Sequence, residues 1–288
     1  MPITFFNTQN DVRVKQSFDS PTVYLDHWAV RLLSDNKQLQ DTFVTELLSK
    51  GGTLLLSNFN FAEFGFPSDP KHCRDTEAFL DRMLPNIFLS DFRLDAILRR
   101  EQHETNNLKR FWPTADLPQL RLLAEGKHSP LQRLTMHGFV SMAYSNRDVL
   151  NPVFEETITM IKQQLELTRK DPAYIKKVRN FQPSDASPRT TLIMAELMRD
   201  LNLNQSAPFE RNDVIDFIHA VMPLNSCDFV LLDAAWAARV ETMKRRIAKA
   251  AVVMPLAKCY SQKNNGVNAF LADFAAFDRS ADLNPPVQ

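Results

Sequence analysis

Cysteine is nearly absent. Cys73, Cys227 and Cys259 are odd in number, widely spaced and form no CxxC pair, which excludes a disulfide framework and a thiolate zinc site and suits a reducing cytoplasm. Long apolar runs are missing too. Nowhere do about 18 apolar residues follow one another, and the opening MPITFFNTQNDVRVKQ has no basic stretch leading into an apolar one, so neither export nor a membrane partner is expected. Nor does one charge dominate: Lys plus Arg and Asp plus Glu number 34 each, so affinity for a polyanion must come from local patches. Glycine is scarce at 6 of 288 residues, beside 21 Phe and helix-forming stretches such as Glu156 to Lys170, which tilts the chain towards helix. With 44% hydrophobic and 24% charged residues the chain can bury a sizeable core, and disorder is excluded.

Four short apolar runs stand out against the helical background: VYLD (Val23 to Asp26), TLLLSN (Thr53 to Asn58), DFVLLD (Asp228 to Asp233) and AVVM (Ala251 to Met254). They lack polar alternation, the pattern of strands covered on both faces in a parallel sheet. Helical pattern follows the first three, as WAVRLLSDNKQLQDTFVTELL, FNFAEF and AAWAARVETMKRRIAKA, so an α/β fold is expected. Between about Asp69 and Ser187 strand signals fall away. Helical segments follow one another there, punctuated by Pro113, Pro118, Pro130, Pro152, Pro172, Pro183 and Pro188. The expected organisation is an α/β core from residues 1–68 and 188–288, with a large helical insertion, 69–187, packed on it.

The carboxylates fall at telling places. Asp26 and Asp233 close the first and third runs, Glu63 sits in the helix after the second, and Asp216 lies in the helix leading into the third. Ligands of open parallel sheets bind beyond the carboxyl ends of the strands, where all four acids can meet. Each also has a plainer use. Asp26 and Asp233 suit helix N-caps, Asn60 to Glu63 has the form of a capping box, His219 suits a core histidine, and Trp28 and Trp236 suit core packing. Asp216 resists such an assignment. It lies about a turn inside its helix among Val214, Ile215, Phe217 and Ile218, on one polar stripe with Asp213 and His219. A buried carboxylate needs a partner, and several in one cleft repel one another unless a cation intervenes. Carboxylate ligation without paired Cys or His suits a hard ion, Mg²⁺ or Mn²⁺, and the chemistry of such sites is phosphoryl transfer.

On VYLD, SNFNFAEF and NDVIDFIHAVMPLNSCDFVLLD the chain resembles the PIN-domain superfamily of metal-dependent nucleases. The resemblance covers roughly the first 65 residues and those from about 189 onward. It implies a three-layer α/β/α sandwich with a central parallel sheet, and Asp26, Glu63, Asp216 and Asp233 as the acidic quartet that ligates Mg²⁺ or Mn²⁺. Asp213 would support the quartet, with His219 and Asn58 standing behind the ligands. Leu232 departs from the Thr or Ser that many members carry before the last Asp. Members cut RNA, often as toxin components, so the resemblance implies an endoribonuclease, a toxin or defence effector, with nucleic acid as substrate, RNA before DNA. It also leaves room for an inhibitory or antitoxin partner and for an oligomer.

Two rival readings remain open. A phosphatase of haloacid-dehalogenase type needs a second acid two residues after the first, where this chain has Trp28, although Lys258 fits its pattern. A noncatalytic PIN-like scaffold would use the helical insertion to bind a partner. Basic residues cluster at Lys176, Lys177 and Arg179 and at Lys244, Arg245 and Arg246. These are either solvated faces or guides for a polyanion.

Spacing separates the neighbouring acids. Asp228 begins the strand that Asp233 ends, which at about 3.3 Å per residue puts them roughly 16 Å apart, whereas two-metal sites span about 4 Å. Asp213 falls in the first helical turn, where the helix dipole favours an acid regardless of chemistry. In a metal-dependent cleavage assay Asp216→Asn should therefore abolish activity, Asp213→Asn weaken it and Asp228→Asn leave it near wild type. A folded but inactive Asp228→Asn would contradict the placement.

Overall fold

A computed structural model describes residues 3–7, 12–66, 69–102, 111–125, 135–184 and 186–278. Pro130 lies outside them. The elements run in the order β1 (Ile3–Asn7), β2 (Val12–Gln16), β3 (Thr22–Leu25), α1 (His27–Asp35), α2 (Lys37–Ser49), β4 (Thr53–Ser57), α3 (Asn58–Gly65), α4 (Pro70–Asp81) and β5 (Ile87–Asp91). There follow α5 (Leu94–Glu101), β6 (Thr114–Ala115), α6 (Leu117–Glu125), α7 (Phe139–Ser145), α8 (Arg147–Lys170), α9 (Pro172–Asn180), α10 (Arg189–Leu203) and α11 (Arg211–Ser226). β7 (Phe229–Leu231), α12 (Ala234–Lys249), β8 (Lys258–Tyr260) and α13 (Gly266–Ala275) complete the chain.

The fold is α/β around a six-stranded sheet of order β6-β5-β4-β3-β7-β8, parallel except at β6, while β1 and β2 form a separate antiparallel pair. Side chains alternate across each strand. Val23, Leu25, Leu54 and Leu56 therefore join one apolar cluster with α1, α2, α4 and α13. Tyr24, Leu55, Phe88 and Val230 join another with α10, α11 and α12. Covered on both faces, the strands need no polar alternation, which is why their apolar runs were readable.

The sheet crosses the expected division at residue 69. Ile87–Asp91, within the stretch read as wholly helical, pairs in parallel with β4 in the middle of the sheet, and Thr114–Ala115 adds the antiparallel edge. IFLS is as apolar as the other strands, but four residues do not separate strand from helix by period. The run AVVM is no strand. Helix α12 ends just before it, Ala251 turns the chain with φ 56, and pairing resumes only at Lys258. Val252 and Met254 owe their apolar character to packing on the α10–α12 cluster. Pro152 does not bound a helix but sits inside α8. The later helices are tied to the core through buried polar contacts: Glu101 of α5 accepts the Thr190 N–H at 2.6 Å, and Arg189 donates to Asn225 of α11.

Thr22 and Asp228 close the far end of the sheet. The Asp228 carboxylate accepts the Thr22 N–H at 2.7 Å and its hydroxyl at 2.8 Å, and Asp228 is only 5% exposed. This carboxylate belongs to strand pairing, opposite the edge where Asp26 and Asp233 lie. Asp228→Ala leaves a buried N–H without its acceptor and should lower the urea unfolding midpoint by the equivalent of about 1–3 kcal/mol, with Mg²⁺ binding unchanged. Wild-type stability in this variant would contradict the assignment.

Candidate metal centre

Strand order places the site. From β3 the chain moves outward through β4 to β5, then returns to add β7 on the other side of β3. The order thus reverses between β3 and β7, the position at which open α/β sheets form a crevice beyond their carboxyl ends. Asp26 and Asp233 flank that crevice. The Asp26 N–H bonds the Leu231 carbonyl at 3.1 Å, so the two strand ends are in register. Both acids are also N-caps, Asp26 accepting the His27 N–H at 2.8 Å and Asp233 the Trp236 N–H at 2.7 Å. Capping leaves the second carboxylate oxygen of each unclaimed by the helix end.

Glu63 arrives on α3. The expected capping box of Asn60 and Glu63 is replaced by one between Ser57 and Asn60: Asn60 Oδ1 accepts the Ser57 N–H at 2.9 Å. Glu63 is thereby free of capping and enters the cleft. Gly65 lets α3 lie close on α7, since a Cβ there would come within 3.0 Å of the Ala143 backbone. Asp216 comes from α11, whose apolar residues Val214, Ile215, Phe217 and Ile218 are all buried. Asp26, Glu63 and Asp216 line a cavity of about 390 Å³ with His27, Trp28, Phe66, Arg211, Asn212 and Ile215.

Burial and mutual repulsion govern these groups. Burial, with Asp233 adding to it against the His27 hydrogen bond, pushes the Asp26 carboxyl up to about 7. Burial first and then the charges of Asp26, Asp233 and Asp213 push Asp216 up to about 8, and it shares a hydrogen bond with Asp233. Glu63 is raised by burial, Asp26 and Asp216, with Arg211 opposing. His219, 1% exposed, is lowered to about 3, mainly by burial. Its Nε2 lies 3.5 Å from Glu63 Oε2 and its Nδ1 3.8 Å from Asp26 Oδ1. Among the described residues no Lys or Arg forms an ion pair with Asp26, Glu63, Asp216 or Asp233. Glu63 Oε2 is buried without a hydrogen-bond partner. The orphaned carboxylate oxygen suits a divalent cation, and one donor atom each of Asp26, Glu63 and His219 lie within 4.8 Å of one another; Asp216 lines the same cavity, as does Arg211. Oxygen ligands suit Mg²⁺ or Mn²⁺.

The other expected residues divide. Asp213 caps the Glu210 N–H at 3.0 Å and pairs with Arg239 at 3.8 Å, acting on Asp216 only through its charge. Asn58 is exposed, accepts the Phe59 N–H, and lines a separate apolar cavity with Phe59, Phe61 and Phe154. The buried carboxamide near the site belongs instead to Asn60. Arg246 is committed to Glu196 at 2.6 Å and Lys244 to Glu241 at 3.1 Å, so neither is a spare cation. Lys176, Lys177 and Arg179 are exposed on α9. Nothing in the sequence pointed to Tyr24 or Arg211, and it suggested Asn60 only as a cap partner of Glu63, although Ser57 and Asn60 carry the same cap spacing.

No family model, curated protein or solved structure matches the chain.

The raised carboxyls set a pH dependence. Unfolded Asp and Glu lose their protons near pH 4, whereas Asp26 and Asp216 keep theirs in the folded chain to about 7 and about 8. Between those limits the folded state binds more protons, so its metal-free stability falls as pH rises, by up to about 1.4 kcal/mol per pH unit for each retained proton. Mn²⁺ displaces those protons and should raise Tm more at pH 8 than at pH 6. Thermal scans of Asp216→Asn should show a shallower fall and a weaker Mn²⁺ response. Profiles identical to wild type would remove Asp216 from the site.

Proposed function

We propose that the chain is a metal-dependent nuclease with a PIN-like α/β/α core, cutting RNA in preference to DNA and acting in the cytoplasm as a toxin or defence effector. The observation that carries this reading is the mutual repulsion of Asp26, Glu63, Asp216 and Asp233 near the switch point of the sheet, with no ion pair to any of the four from a Lys or Arg among the described residues. These four would hold Mg²⁺ or Mn²⁺, which supplies an activated water and charge stabilisation for phosphodiester hydrolysis. Preference for RNA rests on the resemblance of VYLD, SNFNFAEF and NDVIDFIHAVMPLNSCDFVLLD to the PIN superfamily.

The chain's own side chains account for the rest of the chemistry. Asp26 and Asp233 are oriented by the helix ends they cap, so their free oxygens need no reorganisation. Arg211 lines the cavity paired with Glu155 of α8, its Nε donating at 2.8 and 2.9 Å, so a phosphate oxygen entering there would share the guanidinium with that carboxylate. A haloacid-dehalogenase mechanism needs a carboxyl at the position of Trp28, and the cavity wall there is indole.

Lys170, Lys176 and Arg179 line a cavity of about 1100 Å³ between α8, α9 and the segment before α11. Arg169 also lines it but is spent on the carbonyls of Asn204 and Ala207. Helix α8 runs from Glu155 beside the acids to Lys170 at this cavity, about 22 Å at 1.5 Å per residue. A polyanion several nucleotides long reaches from one to the other. With Mg²⁺ present, Lys176→Glu combined with Lys177→Glu and Arg179→Glu should weaken binding of a long RNA and flatten its logarithmic salt dependence by about two to three units. Cleavage of a dinucleotide should be unchanged. Equal affinity of wild type and variant across the salt series would make these residues a solvated face, and an absence of cleavage in any substrate would favour the scaffold reading.

A further inference from the structure

Two buried polar atoms at the cleft, one on its wall and one behind it, lack hydrogen-bond partners and lie close together. Glu63 Oε2 and His219 Nε2 are both buried, both without a hydrogen bond, and 3.5 Å apart. Whether Nε2 carries a lone pair or a hydrogen decides whether His219 can bind a cation or serves the carboxylate. Proximity permits either, since one donor atom each of Asp26, Glu63 and His219 lie within 4.8 Å of one another.

The hydrogen-bond chain behind the ring is directional. A backbone N–H can only donate, so the Ser57 N–H at 2.9 Å fixes the oxygen end of the Asn60 carboxamide towards Ser57. The nitrogen end then donates to the Tyr24 hydroxyl at 3.0 Å. Having accepted that bond, Tyr24 has one hydrogen to give, and His219 Nδ1 is the acceptor hydrogen-bonded to it. With Nδ1 accepting, the hydrogen of the neutral ring sits on Nε2. The reverse tautomer would strand the phenol hydrogen between Tyr24, 0% exposed, and His219, 1% exposed, where among the described residues it has no other acceptor.

We propose that His219 is a positioning residue and not a metal ligand: its Nε2–H, set by the chain from Ser57 through Asn60 and Tyr24, is the donor on which the Glu63 carboxylate, 3.5 Å away, closes when Glu63 ligates a metal. The role rests on Glu63 being a ligand, as in the nuclease reading. It explains why α11 presents His219 on the same face as Asp216, one residue entering the site and the other supporting a ligand from α3. Metal sites commonly depend on such outer hydrogen bonds, with losses of about tenfold to a hundredfold in affinity when they are removed.

The test uses the full chain labelled with ¹⁵N at histidine, the His219 signal being assigned by its loss in His219→Gln. Two-bond ¹H–¹⁵N spectra without and with Mg²⁺ should both show the Nε2–H tautomer. Calorimetry should show Mg²⁺ affinity lowered about tenfold in His219→Leu, largely restored in His219→Gln, which keeps an N–H donor at the end of the side chain, and lowered in Tyr24→Phe, which leaves His219 intact should the leucine variant fail to fold. An Nδ1–H tautomer, or a switch to it on adding Mg²⁺, would make His219 a ligand and overturn the proposal. Unchanged affinity in Tyr24→Phe and His219→Leu would remove the positioning role. A wild-type chain that shows Nε2–H but binds no Mg²⁺ would sink the metal reading and the positioning role with it, leaving only the tautomer assignment.

Discussion

Three carboxylates, Asp26, Glu63 and Asp216, line one cleft, the charge of Asp233 bears on two of them, and Arg211 on the same wall is paired with Glu155 rather than with any of the four. Two like charges 4 Å apart repel by about 4 kcal/mol at an effective dielectric of 20, so the cleft has two ways to exist: with protons retained or with a cation bound. Burial makes the first state accessible near neutral pH for Asp26 and Asp216, and it raises Glu63 in the same direction. The second needs a ligand from outside.

The fold meets that electrostatic demand by giving two of the acids double duty. Asp26 and Asp233 each satisfy a helix N-terminus that would otherwise lack an acceptor, and the same geometry fixes them at the reversal of strand order. Capping and ligation are therefore not competing explanations for these residues. Glu63 and Asp216 come from helices, where orientation depends on packing. Gly65 sets the approach of α3 to α7, and the Arg211 pair with Glu155 joins α11 to α8 at the cavity mouth.

How much was legible in the sequence follows from the range of each signal. Strands β3, β4 and β7 declare themselves as short apolar runs, two of them closed by Asp26 and Asp233, and a local pattern suffices to find such runs. Strand β5 escaped because a short apolar run in a helix-rich stretch has no period to betray it, and AVVM misled because packing on helices demands the same residues as packing in a sheet. The polar chain through Tyr24 and Asn60 was hidden for a different reason. It joins β3, α3 and α11 across residues 24, 60 and 219, and only the folded arrangement says which way the carboxamide points.

The helices between β5 and α11 extend the site rather than stand apart from it. Helix α8 touches the cavity mouth at Glu155 and ends at the basic cavity beside Lys170, so one rigid element links the acids to the cations. All of this depends on a cation seated among the acids. The most direct measurement is anomalous diffraction at the manganese edge from crystals soaked in Mn²⁺. The account predicts a peak bounded by carboxylate oxygens of Asp26, Glu63, Asp216 and Asp233, with His219 Nε2 outside bonding distance of the metal. A well-ordered cleft without anomalous density, or a peak ligated by His219, would contradict it.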